Sequence, residues 1–412
     1  MIAVAEALAR VLALAGPLGT ETVPLARAAG RVLAADVVAT RAQPPFDASA
    51  MDGWALAGGP AGAGARYAVA GAARAGAGHG GALEPGQAAR IFTGAPVPAG
   101  ADRVAIQEEV TDAGGTIVLT AAVAAGAHVR PAGQDFAPGA RIVAPRRLGP
   151  VDVALAAAMN APMLTVHRRP VVAIVPTGDE LVLPGEVPGP DQIVCSNSFA
   201  IAAMLEAEGA EVRLLPVACD APAALGAVLG LAAGADLIVT IGGASVGSHD
   251  LVAPVAGEMG LEATFHKVAM RPGKPLLAGR LGAAALLGLP GNPVSSIVCT
   301  AVFAVPLVRR MLGLPEVSPE RTAALGAPVA ANGPRTHYMR ARLVAGDRGA
   351  ARLVPAARQD SALLSVLAAS DALLIRPAGD GPRAAGEAAR YLPLSAYGHA
   401  PAAQAGPDTP PL

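Results

Sequence analysis

The stretch ADLIVTIGGASVGSHD, residues 235–250, decides the fold. Its apolar, β-branched run from Leu237 to Ile241 reads as a buried strand, and Gly242-Gly243 stops it abruptly. Small residues continue through Ser245 to Gly247, so backbone N–H groups there can close on an anion. A helix opening near His249 would turn its positive end toward the same place. Two glycines after a strand can equally make a plain tight turn, so the neighbouring segments have to decide between the readings.

Outward from this run, the pattern alternates. Strands are expected over 171–175, 211–217, 263–268 and 285–289, with helices over 198–208, 222–233 and 293–311, the last with proline in its first turn. Such alternation predicts an α/β domain with a doubly wound, mostly parallel sheet over 170–317. A polar or glycine-rich loop follows each strand. These are PTGDE with Glu180, Asp220, the Gly242–Gly247 loop ending in Asp250, KVAMRPGK with Lys267, Arg271 and Lys274, and PGNPVSS with Pro290, Asn292, Pro293 and Ser295. In open α/β sheets ligands sit outside the carboxyl ends of the strands, so five such loops mark one edge as a site. Lysine and arginine beside a backbone anion nest suit phosphate or another oxyanion. The carboxylates Asp52, Asp135, Glu180 and Asp250 suit Mg²⁺, a hard ion that prefers oxygen. Acids and bases that are close together also form ordinary surface ion pairs.

Residues 1 to about 40 read as mostly helical, followed by QPPFDASAMDGWA at 43–55, a proline-led loop carrying Asp47, Ser49 and Asp52. Short strands with frequent Gly and Pro then predict a small β domain. In it RIFTGAPVP exposes Thr93 and RPAGQD exposes Asp135. GAGHGG at 76–81 matches GxGxxG in form, but Glu84-Pro85-Gly86 follows where a helix should open. Helical character over 150–159 suggests a segment packing back on the N-terminal helix, which makes the β domain an insertion. The expected domains are therefore 1–42 with 141–169, 43–140, 170–317, and a small β-barrel-like domain over 318–398 carrying Arg340 and Ser361. A proline-rich tail over 399–412 is expected to be disordered.

Composition excludes several classes. At 412 residues and 40.5 kDa several domains are expected. With 31 basic and 32 acidic residues the net charge is −1, so no global field favours nucleic acid or an anionic membrane. Three cysteines, none in CxxC, fit a reducing cytoplasm. Glu6 and Arg10 interrupt the apolar N-terminus at helical spacing, against a signal peptide. Pro290-Gly291-Asn292-Pro293 likewise cuts the uncharged segment 281–308 into strand, turn and core helix. No GxxxxGK[ST], HExxH or GxSxG occurs, so a P-loop nucleotidase, a zincin and a triad built on Ser245, His249 and Asp250 are all disfavoured.

Taken together, PPFDASAMDGWA, FTGAPVPAGAD, AGQDF, PTGDEL, SNS, GGASVG, MRPGKP and GLPGNPVSS make the chain resemble the MoeA family of molybdopterin molybdenumtransferases over residues 1 to 397. Ala48 stands where that family usually has Asn, and Trp54 where Tyr is common. The resemblance implies an enzyme that inserts molybdenum from molybdate into adenylylated molybdopterin, with Mg²⁺, releasing AMP. It implies four domains and a homodimer whose active site lies between one subunit's α/β domain and its partner's loops. Other enzymes of molybdenum cofactor biosynthesis are implied partners. Arg271, Lys274, Ser295, Arg340 and Ser361 would hold molybdate, the Gly242–Gly247 loop the pterin phosphate, and Thr93 a phosphate oxygen. Asp52, Glu180 or Asp250 would bind the metal. Two alternatives stand beside this reading: a molybdopterin adenylyltransferase, and a non-catalytic scaffold of the same fold.

Overall fold

The run Leu237–Ile241 is a strand buried along its whole length. In a computed structural model, which describes residues 1–243, 251–346 and 349–400, it lies inside a six-stranded sheet. The order across that sheet is Glu211–Leu214, Val171–Pro176, Leu237–Ile241, Ala284–Leu289, Pro275–Leu281 and Leu261–Lys267. The first four strands are parallel. Pro275–Leu281 runs against both of its neighbours, so Leu261–Lys267 points the same way as the first four. This reversal puts the loop from Lys267 to Lys274 at the carboxyl edge of the sheet.

The sequence reading held no strand over 275–281. Its glycine is the reason the strand fits: a Cβ on Gly279 would stand 2.6 Å from the Glu262 carbonyl oxygen. Helices cover both faces. Ile201, Leu205, Val298, Phe303 and Leu307 build the core on one face, and Leu225, Leu229, Val252 and Val255 build it on the other. The long helix proceeds as α over Pro293–Cys299, widens to π over Thr300–Ala304, and returns to α over Val305–Met311. Pro306 has no N–H to return to the preceding turn, which accounts for the widening. This is the one described helix long and apolar enough to cross a membrane, and it is 78% buried inside the protein.

Five further strands close on themselves. Thr336–Ala345, Ala351–Pro355, Arg321–Leu325, Ala388–Pro393 and Ala372–Arg376 form a ring, with Met270–Arg271 added in parallel beside Thr336–His337. The architecture is thus a mixed α/β sheet with separate β domains, among them a closed five-stranded barrel. Tyr338, Leu373, Ile375 and Leu392 join the same hydrophobic cluster as the α/β helices.

The chain divides into two units: 1–21, 30–32 and 167 onward form one, 22–29 with 33–166 the other. The second unit holds a six-stranded sheet with Trp54, Leu56, Tyr67, Ile117 and Leu119 at its core. It also holds a cluster of Val23, Leu33, Val37, Ile142, Ala156 and Leu164. One expectation is corrected here. Residues 1 to 40 are α-helical only over Val4–Leu12; beyond it the short β-branched runs Val32–Leu33 and Val37–Val38 pair as strands with residues 166 and 141–142. Ala7 and Val11 lie in the α/β core, whereas Ala156 lies in the second unit. The proline-rich tail from 401 lies outside the described residues.

Gly279→Ala tests the reversed strand. The added methyl meets backbone that cannot swing away, so a loss of about 1–3 kcal/mol is expected. It is read as a lower urea midpoint at unchanged slope.

Candidate active site

Strand ends at the sheet's carboxyl edge are tied directly to one another. Thr177 N–H donates to the Ile241 carbonyl at 2.9 Å, Gly242 N–H to Leu289 O at 3.0 Å, and Gly178 N–H to Ala218 O at 3.1 Å. Gly242 and Gly243 adopt φ of 96° and 59°. A Cβ on the first would stand 2.7 Å from Thr177 O, and one on the second 2.9 Å from Val252 Cγ2. Only glycine lets the backbone pass so closely there. The next helix begins at Val252. Ser245, Gly247, His249 and Asp250 lie outside the described residues.

Beside this turn the PGNPVSS loop is held from two sides. Asn197, at the start of the helix Asn197–Ala207, donates its side-chain amide to Gly291 O at 2.6 Å. Val294 N–H donates to Ser361 O at 3.1 Å, which brings the Ser361 loop of the barrel domain against Pro290, Asn292, Pro293 and Ser295. Ser295 is 4% exposed, and Asn292 is open to solvent. Glu180 is exposed, and its carboxylate folds back over Gly178, filling the space a Cβ would need.

The basic loop is seated from beneath. Gly273 has φ 102°, and a Cβ there would collide with the Cys299 Sγ. Cys299 is wholly buried, and burial pushes its thiol far above the usual range, so it packs rather than reacts. Val268 N–H donates to Lys274 O at 3.1 Å, closing the loop. Lys267 is half-buried, whereas Arg271 and Lys274 are exposed.

Arg340 is the largest fully buried side chain. One guanidinium N–H reaches Arg358 O at 3.3 Å, but Nε and the other terminal nitrogen have no hydrogen-bond partner. Gln359 fixes the backbone around it, accepting from Arg340 N–H at 2.9 Å and donating to Arg340 O at 2.9 Å. Burial depresses the proton affinity of Arg340, Asp360 partly offsets this, and Arg271 adds to it. Buried charge short of hydrogen-bond partners is costly, which makes Arg340 a candidate anion-binding residue. His337, 7% exposed, is driven down to about 4 by burial first and then by Arg271, Arg340, Arg335 and Arg376. His337, Arg335, Arg376 and Asn197 were not singled out in the sequence; the SNS motif was the only signal that touched any of them.

In the second unit, Asp52 Oδ1 accepts from the Thr93 backbone N–H at 2.8 Å and from its hydroxyl at 2.9 Å. These two donors, the backbone one foremost, hold the exposed carboxyl below its usual range, with Arg90 contributing. The Thr93 hydroxyl thus points at Asp52. Arg90 lies over the Trp54 and Phe92 rings, at 5.6 and 5.1 Å from their centroids. Asp135 lines a cavity of about 560 Å³ together with Pro44, Phe46, Gly94 and Arg130. Asp52, Thr93 and Asp135 thus belong to one unit, and Glu180, Lys267, Arg271, Lys274, Ser295, Arg340 and Ser361 to the other. Among the described residues no group of three or more His, Cys, Asp or Glu side chains stands ready as a metal cage.

Known proteins match along almost the whole length of the chain. Residues 2–160 match the MoeA N-terminal region, domains I and II, 173–310 a probable molybdopterin binding domain, and 322–394 the MoeA C-terminal region, domain IV. Molybdopterin molybdenumtransferase 2 of Mycobacterium tuberculosis is 38% identical over 338 residues, 78% of this chain and 83% of its own length. The chain belongs to the molybdopterin molybdenumtransferase family. The Haemophilus influenzae molybdopterin molybdenumtransferase is 31% identical over 92% of this chain and 95% of its own. The crystal structure of a molybdopterin biosynthesis MoeA protein from Pyrococcus horikosii superposes with a TM-score of 0.81 at 29% identity. It covers 95% of this chain and 99% of that one. The chain is therefore an enzyme of a molybdenum cofactor biosynthesis family.

Two predictions follow from the charges. His337 has a folded-state value of about 4 against an ordinary 6.5, so its neutral ring contributes stability that is complete above the higher value and lost as pH falls toward the lower. Urea midpoints should drop across that interval, and His337→Gln should flatten the drop. Thr93→Val keeps the backbone donor but removes the hydroxyl, so Asp52 should titrate at higher pH than in the parent, as followed by carboxyl NMR.

Proposed function

We propose that this chain transfers molybdenum from molybdate to adenylylated molybdopterin, with Mg²⁺ and release of AMP, as a cytoplasmic homodimer. The two guanidinium nitrogens of buried Arg340 that lack a hydrogen-bond partner carry the reading, because a compact oxyanion can answer both. Molybdate, a tetrahedral dianion, supplies oxygens for Arg340, Ser295 and the exposed Arg271 and Lys274 through charge-assisted hydrogen bonds. The Gly242-Gly243 turn, where side chains are excluded, leaves room for the pterin phosphate to approach the backbone. Asn197 and Ser361 hold the PGNPVSS loop in register for both ligands.

Water cleaves the phosphoanhydride of the adenylylated substrate, giving AMP and the pterin phosphate, and the new negative charge on the two separating phosphates needs neutralising. Mg²⁺ would supply that neutralisation and usually takes only one or two carboxylates besides substrate phosphates. The donor chemistry fits. Asp52 is kept ionised, both Thr93 donors fall on Oδ1, and Oδ2 remains for a cation. Glu180, exposed at the sheet edge, is the second candidate.

The direct assay supplies adenylylated molybdopterin and Mg²⁺ and follows AMP with and without molybdate; molybdate-independent AMP release would remove the coupled reaction. Lys274→Ala should weaken molybdate binding by about 1.5–3 kcal/mol, roughly 10- to 150-fold, with the fold intact. Asp52→Ala should bind substrate yet fail to turn over. Arg340→Met separates function from stability. Removing an unpaired buried charge should leave the melting temperature unchanged or higher while molybdate binding is lost; a destabilised variant that still binds would show that Arg340 is structural.

A further inference from the structure

One mouth of the closed barrel holds a cavity of about 370 Å³, of which the reaction above uses only Arg271. The barrel core reaches it through Val329 and Met339, and Pro355 completes an apolar wall. Arg271, His337 and Arg376 line it too. Arg376 is already engaged, its Nε on Asp380 at 2.6 Å and a terminal N–H on Gly381 O at 2.6 Å, so it shapes the rim. Arg271 is exposed, pairs in register with His337, and has no carboxylate partner among the described residues. The mouth therefore combines a free guanidinium and an imidazole with a hydrocarbon surface.

Volume narrows the ligand class. A water's share of liquid is about 30 Å³ and a bare tetrahedral oxyanion takes only a few such shares, so an oxyanion alone leaves most of the cavity and all of its apolar wall unused. We propose that the barrel mouth binds a small phosphomonoester, with its phosphate on Arg271 and His337 and its organic body against Val329, Met339 and Pro355. Occupancy draws on the same guanidinium that faces the sheet edge, so this site and the oxyanion site compete for Arg271. His337 reports binding directly. Burial first, and then the surrounding arginines, hold the ring neutral, and a dianion beside it favours the charged form.

The test uses the full chain and phenyl phosphate as probe, with inorganic phosphate in parallel. Calorimetry should show saturable binding of the ester, and NMR of the His337 ring should show its titration moving to higher pH. Ala330→Glu places a carboxylate on the exposed rim, at a residue with no part in the reaction. It should weaken the ester by about tenfold or more through like-charge repulsion. The proposal is overturned if the ester fails to bind, if it binds Ala330→Glu as it binds the parent, or if inorganic phosphate binds as tightly as the ester. Binding alone is measured, so failure here leaves the molybdenum-transfer reading intact, and failure of that reading leaves this one.

Discussion

A guanidinium in the dry interior with two unanswered N–H groups is the constraint on which the rest of the site depends. Gln359 clamps the backbone of Arg340 through both its N–H and its carbonyl, and the side chain is fully buried. The barrel that carries it is fixed against the sheet by a shared hydrophobic cluster. The charge is thus held in place by the fold itself.

Delivering the other groups to that charge requires one reversal of direction. If Pro275–Leu281 ran parallel to its neighbours, the loop with Arg271 and Lys274 would have to cross to the opposite edge of the sheet to enter it. Its antiparallel course lets it begin at the edge where the Gly242-Gly243 turn and the PGNPVSS loop already lie, so the basic loop stays there. Gly273 then sets the depth of the basic loop by resting on Cys299. Backbone geometry does most of the positioning, and the long basic side chains have only a short distance left to span.

The α/β sheet was legible in the amino-acid sequence because its strands are unbroken β-branched runs such as Val171–Pro176 and Leu237–Ile241, punctuated by glycine and proline. Arg321–Leu325 and Ala388–Pro393 were not, since alanine-rich segments carry little strand preference and these pair only because the barrel closes around them. Residues 20–40 misled for a related reason: alanines and leucines there suggest helix, whereas cross-chain pairing wins. In the site, residue types and loops could be read, but not relationships. Nothing in a linear string shows that Arg340 is buried, that Thr93 spends its hydroxyl on Asp52, or that His337 sits among four arginines. Those follow from strand register, which tertiary contacts set.

The hydrophobic cluster common to sheet and barrel also bears on modularity. Tyr338, Leu373, Ile375 and Leu392 pack with Val305, Leu307 and Val308, so the C-terminal region is no bead on a string. Cutting the chain after Leu314 would strip a greasy face bare and leave a fragment prone to clump. Grafting this barrel onto a foreign sheet would require transplanting half of a core, which ties the inheritance of the two parts together.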